Sequence, residues 1–380
     1  MDLFGIPGGV YIVSIVASLL SYFIIWVFYR HCVIPLSELK LDGAQIEWKV
    51  FLIPPSVFIL AYFFFSIAEL LIFDSGVVVT ISAFSMVIVC LFVWAFYVII
   101  RNIKATNEAI EAKDLAAEMA RTEALREADL NIAKNIQSAA LPSVFPPFPE
   151  HGEFELFASM NAAKEVGGDF YDFYMIDDNT LGFLIADVSG KSIPGAMFMM
   201  TSKTVIKSFA ESGMPPAEVF TRANEKLCEG NEAEMFVTAW LGYLDLKTGL
   251  VRVANAGHNP PILIHEGVAE YVILRPGLML AGMDGVRYRE QTMQLEKGDM
   301  LYLYTDGVTE AMDNDEEQYG EERLKALLSF GENIPAPSAE NGVVEPVCQA
   351  VLADVQTFTN GAEQSDDITM LCVRYLGSEG

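Results

Sequence analysis

Long apolar runs and short polar connections alternate over the first hundred residues. Residues 8–29, 51–73 and 77–100 are almost unbroken stretches of apolar side chains, and only Asp74-Ser75-Gly76 separates the second from the third. A helix needs about 20 such residues to cross a hydrocarbon core, and a buried globular helix would carry a polar stripe that these runs lack. The pattern predicts three membrane-spanning helices within residues 1–100. Residues 101–141 have another texture, rich in Ala, Glu, Lys and Arg and free of Gly and Pro, which predicts a long helix ending at Leu141-Pro142. Ile103, Ile110, Ala117 and Ala124 recur every seven residues, and Leu125, Ala128, Ile132, Ile136 and Ala139 continue as a shifted stripe, as a stutter in a weak coiled coil would. The Pro-rich stretch 142–149 then makes a stiff break. The expected organisation is a three-span region over 1–100, a helical linker over 101–149 and a folded domain over 150–380.

The basic residues give the expected membrane orientation. Arg30, Lys40 and Lys49 lie between the first two runs, Arg101, Lys104 and Lys113 follow the third, and neither the N-terminus nor the Asp74 hairpin carries any. Bases collect on the cytoplasmic side, so the sequence predicts a multi-pass protein of the inner membrane with its N-terminus outside and everything after Arg101 cytoplasmic. The net charge is −27, nearly all of it after Arg101. Such a surface repels phosphate backbones, which excludes nucleic acid as a partner. Cys32, Cys90, Cys228, Cys348 and Cys372 form no CxxC pair, so neither a zinc site nor a disulfide framework is indicated.

After residue 154 apolar, strand-like runs end in carboxylates. Residues 183–186 lead into Asp187, residues 300–305 into Asp306, Asp169 follows Val166-Gly167-Gly168, and Asp366-Asp367 precede the run 368–371. A strand holds its backbone in a ladder and presents its tip, a common way to fix a metal ligand. Four carboxylates suit hard cations such as Mg2+ or Mn2+. One aspartate alone is an ordinary turn residue; four in these contexts favour a metal site. Gly167-Gly168-Asp169-Phe170 lacks the second acid of a diguanylate cyclase turn, and no phosphate-binding P-loop sequence occurs.

The strings EVGGDFYDF (165–173), ADVSGKSIPGAMF (186–198), NAGHNPPIL (255–263), LYTDGVTEA (303–311), YGEERL (319–324) and SDDITML (365–371) occur in that order. Together they resemble the PPM-type metal-dependent Ser/Thr protein phosphatases, in the bacterial SpoIIE/RsbU-like branch. Ile136-Gln137 and Leu141-Pro142 are similar to that branch's regulatory linker. The resemblance implies an α+β fold, a four-layer α/β/β/α sandwich of two antiparallel sheets with helices outside, and a dinuclear Mn2+ or Mg2+ centre at one end. It also implies roles. Asp187 would bridge both metals, Asp306 and Asp366 would complete one, and Asp169 with the Val188 carbonyl would hold the other. A bridging hydroxide would then attack a phosphoserine or phosphothreonine ester directly, with no protein nucleophile.

Some roles stay open at this stage. Asp367 is either an alternative ligand to Asp366 or a turn residue, Asp172 lies near the site without ligating, and His258 is a general acid or a turn-holding histidine. Lys164 and Lys191 are substrate contacts or surface lysines. Ser192 and Gly195 depart from the branch's usual Gly and Ala. The expected partners are a phosphorylated regulator, such as an anti-sigma-factor antagonist, the membrane, and a second copy in a homodimer. The alternative function is a catalytically silent phosphatase-fold scaffold or receptor.

Overall fold

The computed structural model describes residues 75–190, 192–331 and 342–377, with single positions between residues 16 and 30. The chain divides into two compact units, Met1–Glu123 and Ala124–Gly380. Helix α1 (Ser75–Ala140, 66 residues) runs without a break from the third apolar run through the predicted linker. It stops one residue before the expected end, because the proline ring at 142 pushes Leu141 out of the helical region.

The membrane expectation is corrected here. Among the described residues, no helix is long and apolar enough to cross a membrane. The run 77–100 is the opening of a helix that turns strongly charged after Arg101, not a self-contained apolar segment of about 20 residues. The runs 8–29, apart from those single positions, and 51–73 lie outside the described residues. The multi-pass inner-membrane localisation therefore does not stand, and the described residues do not support the three-span region.

The second unit is an α+β sandwich. Its strands are β1 (Phe154–Asn161), β2 (Phe170–Asp177), β3 (Thr180–Val188), β4 (Val237–Asp245), β5 (Leu250–Ala256), β6 (Ile262–His265), β7 (Val268–Tyr271), β8 (Gln291–Gln294), β9 (Met300–Tyr304) and β10 (Ile368–Tyr375). They form two five-stranded sheets, ordered β1-β10-β9-β6-β7 and β2-β3-β4-β5-β8, with every pair antiparallel. The helices are α2 (Ile193–Glu211), α3 (Pro216–Cys228), α4 (Asp306–Thr309), α5 (Glu321–Leu328) and α6 (Val344–Thr359).

Side-chain alternation assigns each face. On β9 and β10, Leu301, Leu303, Leu371 and Val373 join the core shared by both sheets, together with Tyr171, Phe173 and Ile185. Their neighbours Met300, Tyr302, Tyr304, Met370 and Cys372 point the other way, into a second core with Leu324 of α5 and Val347 and Val351 of α6. On the other sheet, β3 is buried over most of its length because α2 covers its far face. The layers are thus helices, sheet, sheet, helices, as an α/β/β/α sandwich requires.

Candidate active site

The strand tips that carry the predicted aspartates meet at one end of the sandwich. Phe170 pairs with Ala186 across β2 and β3, so Asp169 and Asp187 lie one step further along the same two strands. Asp306 opens the single turn α4 directly after β9. Asp366 and Asp367 precede β10, and the Asp366 carboxylate accepts the Asp367 N–H at 2.9 Å.

Burial and like charge dominate the electrostatics. Asp187 is pushed up to about 7, first by burial and then by the carboxylates of Asp306, Asp366 and Asp367. Asp169 is also raised, by burial and by Asp187 and Asp367. The two carboxylates act on one another, so their titrations are linked. Among the described residues, no group of three or more His, Cys, Asp or Glu side chains is drawn close enough to hold a metal as it stands. Hard carboxylate oxygens are nevertheless the donor set that divalent Mg2+ or Mn2+ suits.

Asp367 is fully used by the backbone. Its Oδ1 accepts the Ala163 N–H at 2.8 Å, and its Oδ2 accepts those of Gly168 at 2.7 Å and Asp169 at 3.3 Å. This clamp explains two glycines. A Cβ at Gly167 would lie 2.3 Å from Asp367 Oδ2, and one at Gly307 would lie 2.0 Å from the Asp367 carbonyl. Both chains must approach closer than any side chain permits. The Val188 carbonyl faces the same loop, 2.8 Å from where a Cβ on Gly168 would sit.

Other candidates fall elsewhere. Asp172 is buried on the α2 side of β2, where Lys203 Nζ lies 2.5 Å from its Oδ2. His258 Nδ1 is hydrogen-bonded to Thr238 Oγ1 at 3.0 Å, and Thr238 is the β4 partner of Asp187. The Asn255 amide brackets His258 by accepting its N–H and donating to its carbonyl. Burial lowers His258 to about 4, so at neutral pH it is uncharged and holds the turn, not a protonated acid. Lys164 is exposed, and Lys191 lies outside the described residues.

Two residues were not assigned to the site from the sequence, although Gln137 was named in the linker. Thr305 donates to Asp169 Oδ2 at 2.6 Å and accepts the Thr369 N–H at 3.1 Å, tying β9, β10 and the Asp169 loop together. Gln137 near the end of α1 is buried, donates to the Gly167 carbonyl at 2.6 Å and accepts the Gly167 N–H at 3.0 Å. Thr305 lay inside the motif LYTDGVTEA, and a polar residue on the face of Leu130 and Ala133 was the available signal for Gln137.

The two departures from the branch pattern are structurally connected. Ser192 has φ 73° and ψ −154°, a region that is essentially glycine's alone. A Cβ at Gly195 would lie 2.2 Å from the Gly190 carbonyl, so the loop after Asp187 sits directly on α2. Ser192→Gly should therefore stabilise the protein by about 1 kcal/mol, or roughly 2–4 °C in melting temperature for a domain of this size. Gly195→Ala should lower it. Differential scanning calorimetry of both variants checks this, and a Ser192→Gly protein that melts no higher than the parent would contradict the strain.

Comparison with known proteins adds the following. A family model described as stage II sporulation protein E (SpoIIE) matches residues 177–376. The phosphoserine phosphatase RsbU of Bacillus subtilis is 31% identical over 185 residues, which cover 48% of this chain and 54% of RsbU. Protein IcfG of Synechocystis sp. is 26% identical over 273 residues, covering 64% of this chain and 41% of IcfG. The chain thus spans about half the length of these curated relatives. Among solved structures, the SiaA-PP2C domain of Pseudomonas aeruginosa superposes with a TM-score of 0.57 at 22% identity, covering 68% of this chain and 99% of that domain. At that identity the likeness shows a shared fold.

Proposed function

The chain belongs to the SpoIIE family, and from that premise we propose that it is a metal-dependent phosphoprotein phosphatase acting on phosphoserine or phosphothreonine of a signalling regulator. The observation that carries this reading is the raised pair Asp169 and Asp187, crowded by burial and by the carboxylates of Asp306, Asp366 and Asp367. In it, Asp187, Asp169, Asp306, Asp366 and the Val188 carbonyl would hold two Mn2+ or Mg2+ ions. When bound, the ions supply Lewis-acid activation of water and charge neutralisation at the phosphoryl group. The protein's part is positional. Asp367 and Thr305 fix the Asp169 loop, and the Asp187–Thr238–His258 neighbourhood fixes the tip of β3. A silent scaffold would not need to crowd the buried carboxylates of Asp169 and Asp187 together, which is costly.

The name of the relative RsbU, a phosphoserine phosphatase, supports phosphoserine as the ester. The reading is tested by phosphate release from phosphoserine-bearing proteins by the full chain with Mn2+. Activity that persists unchanged in excess chelator would refute metal dependence.

The same reading includes a homodimer. Leu125, Ile132 and Ile136 line one side of α1 within the second unit and are 57–61% exposed. An exposed apolar stripe at helical spacing is what a second helix buries. Substituting Asp for both Ile132 and Ile136 should convert a dimer to a monomer, because each unpaired charge in such a seam costs on the order of a few kcal/mol. Sedimentation velocity reads the result. A parent chain that sediments as a monomer at every concentration removes the dimer from the proposal.

A further inference from the structure

Away from the aspartate cluster, a cavity of about 320 Å3 opens between the end of α1 and the outer face of α2. It is lined by Ala140, Met200, Lys203, Thr204, Lys207, Ser208 and Glu211. Residues 203 and 207 lie one helical turn apart, as do 204 and 208, so two ammonium groups and two hydroxyls form adjacent rows on one patch.

The charges in this patch are unequally committed. Lys203 and Asp172 are both nearly or fully buried, at 10% and 0% side-chain exposure, and 2.5 Å apart, so they satisfy one another. Lys207 reaches the same Asp172 oxygen only at 3.7 Å and Glu211 at 3.8 Å, both longer than a hydrogen bond. Glu211 is 52% exposed, and a solvent-facing pair of this kind contributes little. Lys207 Nζ also stands 5.7 Å from the centre of the Tyr174 ring, whose buried hydroxyl has no hydrogen-bond partner among the described residues. Thr204 spends its proton on the Met200 carbonyl at 2.8 Å. Lys207, Ser208 and the remaining N–H groups of Lys203 are the donors available to a ligand, and all lie in a protein whose net charge is −27.

The apolar part of the lining is Met200, one turn before Thr204 on α2, and Ala140 at the end of α1. At about 30 Å3 per non-hydrogen atom the cavity holds on the order of ten of them, near the lower end of ligand pockets. We propose that this cavity is a binding site, distinct from the aspartate cluster, for a small organic phosphate, with the phosphate on Lys207, Ser208 and Lys203 and the carbon skeleton against Met200 and Ala140. Lysine serves phosphate as a point charge with several rotatable donors. The occupant would touch both elements that hold the Asp169 loop. Ala140 belongs to the helix that carries Gln137, and α2 begins at the turn where a Cβ on Gly195 would lie 3.9 Å from Gly168.

The test is calorimetric titration of the full chain in excess chelator, where the metal-free aspartates repel anions. Glycerol 3-phosphate is the probe, with glycerol, inorganic phosphate and sodium chloride at matched ionic strength as controls. Saturable binding near one per chain is expected for glycerol 3-phosphate, weaker binding for phosphate and none for glycerol or chloride. Lys207→Met should weaken binding at least tenfold and Lys207→Arg should largely retain it, with both variants melting near the parent. Lys203 is left in place because its loss would strand the buried Asp172. No saturable binding by the parent, or equal affinity in Lys207→Met, overturns the site. Since neither arm measures turnover, failure here leaves the phosphatase reading to be judged by its own assay.

Discussion

Replacing Asp187 with Asn should reduce Mn2+-dependent phosphate release by about three orders of magnitude and, at the same time, raise the melting temperature of the metal-free protein. The first effect follows from the several kcal/mol a metal contributes to a phosphoryl transition state, at about 1.4 kcal/mol per tenfold in rate. The second follows from linkage. Asp187 titrates near 7 in the fold against an ordinary value of 3.8, because burial and neighbouring carboxylates disfavour its charge. Between these two values the folded state holds the proton more tightly than the unfolded chain does. Stability of the metal-free protein therefore falls as pH rises from about 4 to about 7 and then levels off. Asparagine removes the charge and most of that slope. Protons and metal compete for the same oxygens, so the Mn2+ requirement of the parent should also rise steeply as pH falls below about 7. Thermal melts in chelator across this pH range, with phosphate release measured in parallel, check both halves. A variant that loses activity by melting lower than the parent would show that Asp187 supports the fold instead of crowding it.

The carboxylate positions were legible in the sequence because their signal is local. Asp187 and Asp306 end apolar runs while Asp169 and Asp366 stand just before them, and a strand tip needs no partner to be recognised. The sandwich was reached through the resemblance, and the alternation of Leu301, Tyr302 and Leu303 between two cores gives its physical basis. What the sequence withheld depends on distant pairing. Thr305 meets Asp169 across 136 positions, and Asp367 reaches Gly168 across 199. Asp172 was expected near the site without ligating, and strand alternation in fact turns it to α2 and Lys203. Apolar length misled in the opposite direction. The run 77–100 has the length of a span, but it is continuous with a charged helix and no described helix has the character of one.

Gln137→Leu should raise the Mn2+ concentration needed for half-maximal activity at least tenfold while leaving turnover at saturating Mn2+ closer to the parent. The glutamine makes a two-way bond with Gly167, donating to its carbonyl and accepting its N–H. Leucine has similar bulk and no hydrogen-bonding group, so it leaves both backbone groups of a buried glycine without partners. Each costs about 1–3 kcal/mol, and the loop can recover them only by moving toward water. That loop ends in Asp169, whose carboxylate is placed by Thr305 on one side and by the Asp367 clamp on its backbone. Loosening it disorders one ligand of the proposed centre without changing the chemistry of any ligand. The expected signature is therefore weakened metal affinity, rescued by excess metal, in contrast to Asp187→Asn, which excess metal should not rescue. Asn135→Ala is the control, since Asn135 is two residues away on the same helix, is exposed, and is outside the proposed dimer stripe. An unchanged Mn2+ dependence in Gln137→Leu would mean that the end of α1 caps the loop passively and does not set the position of Asp169.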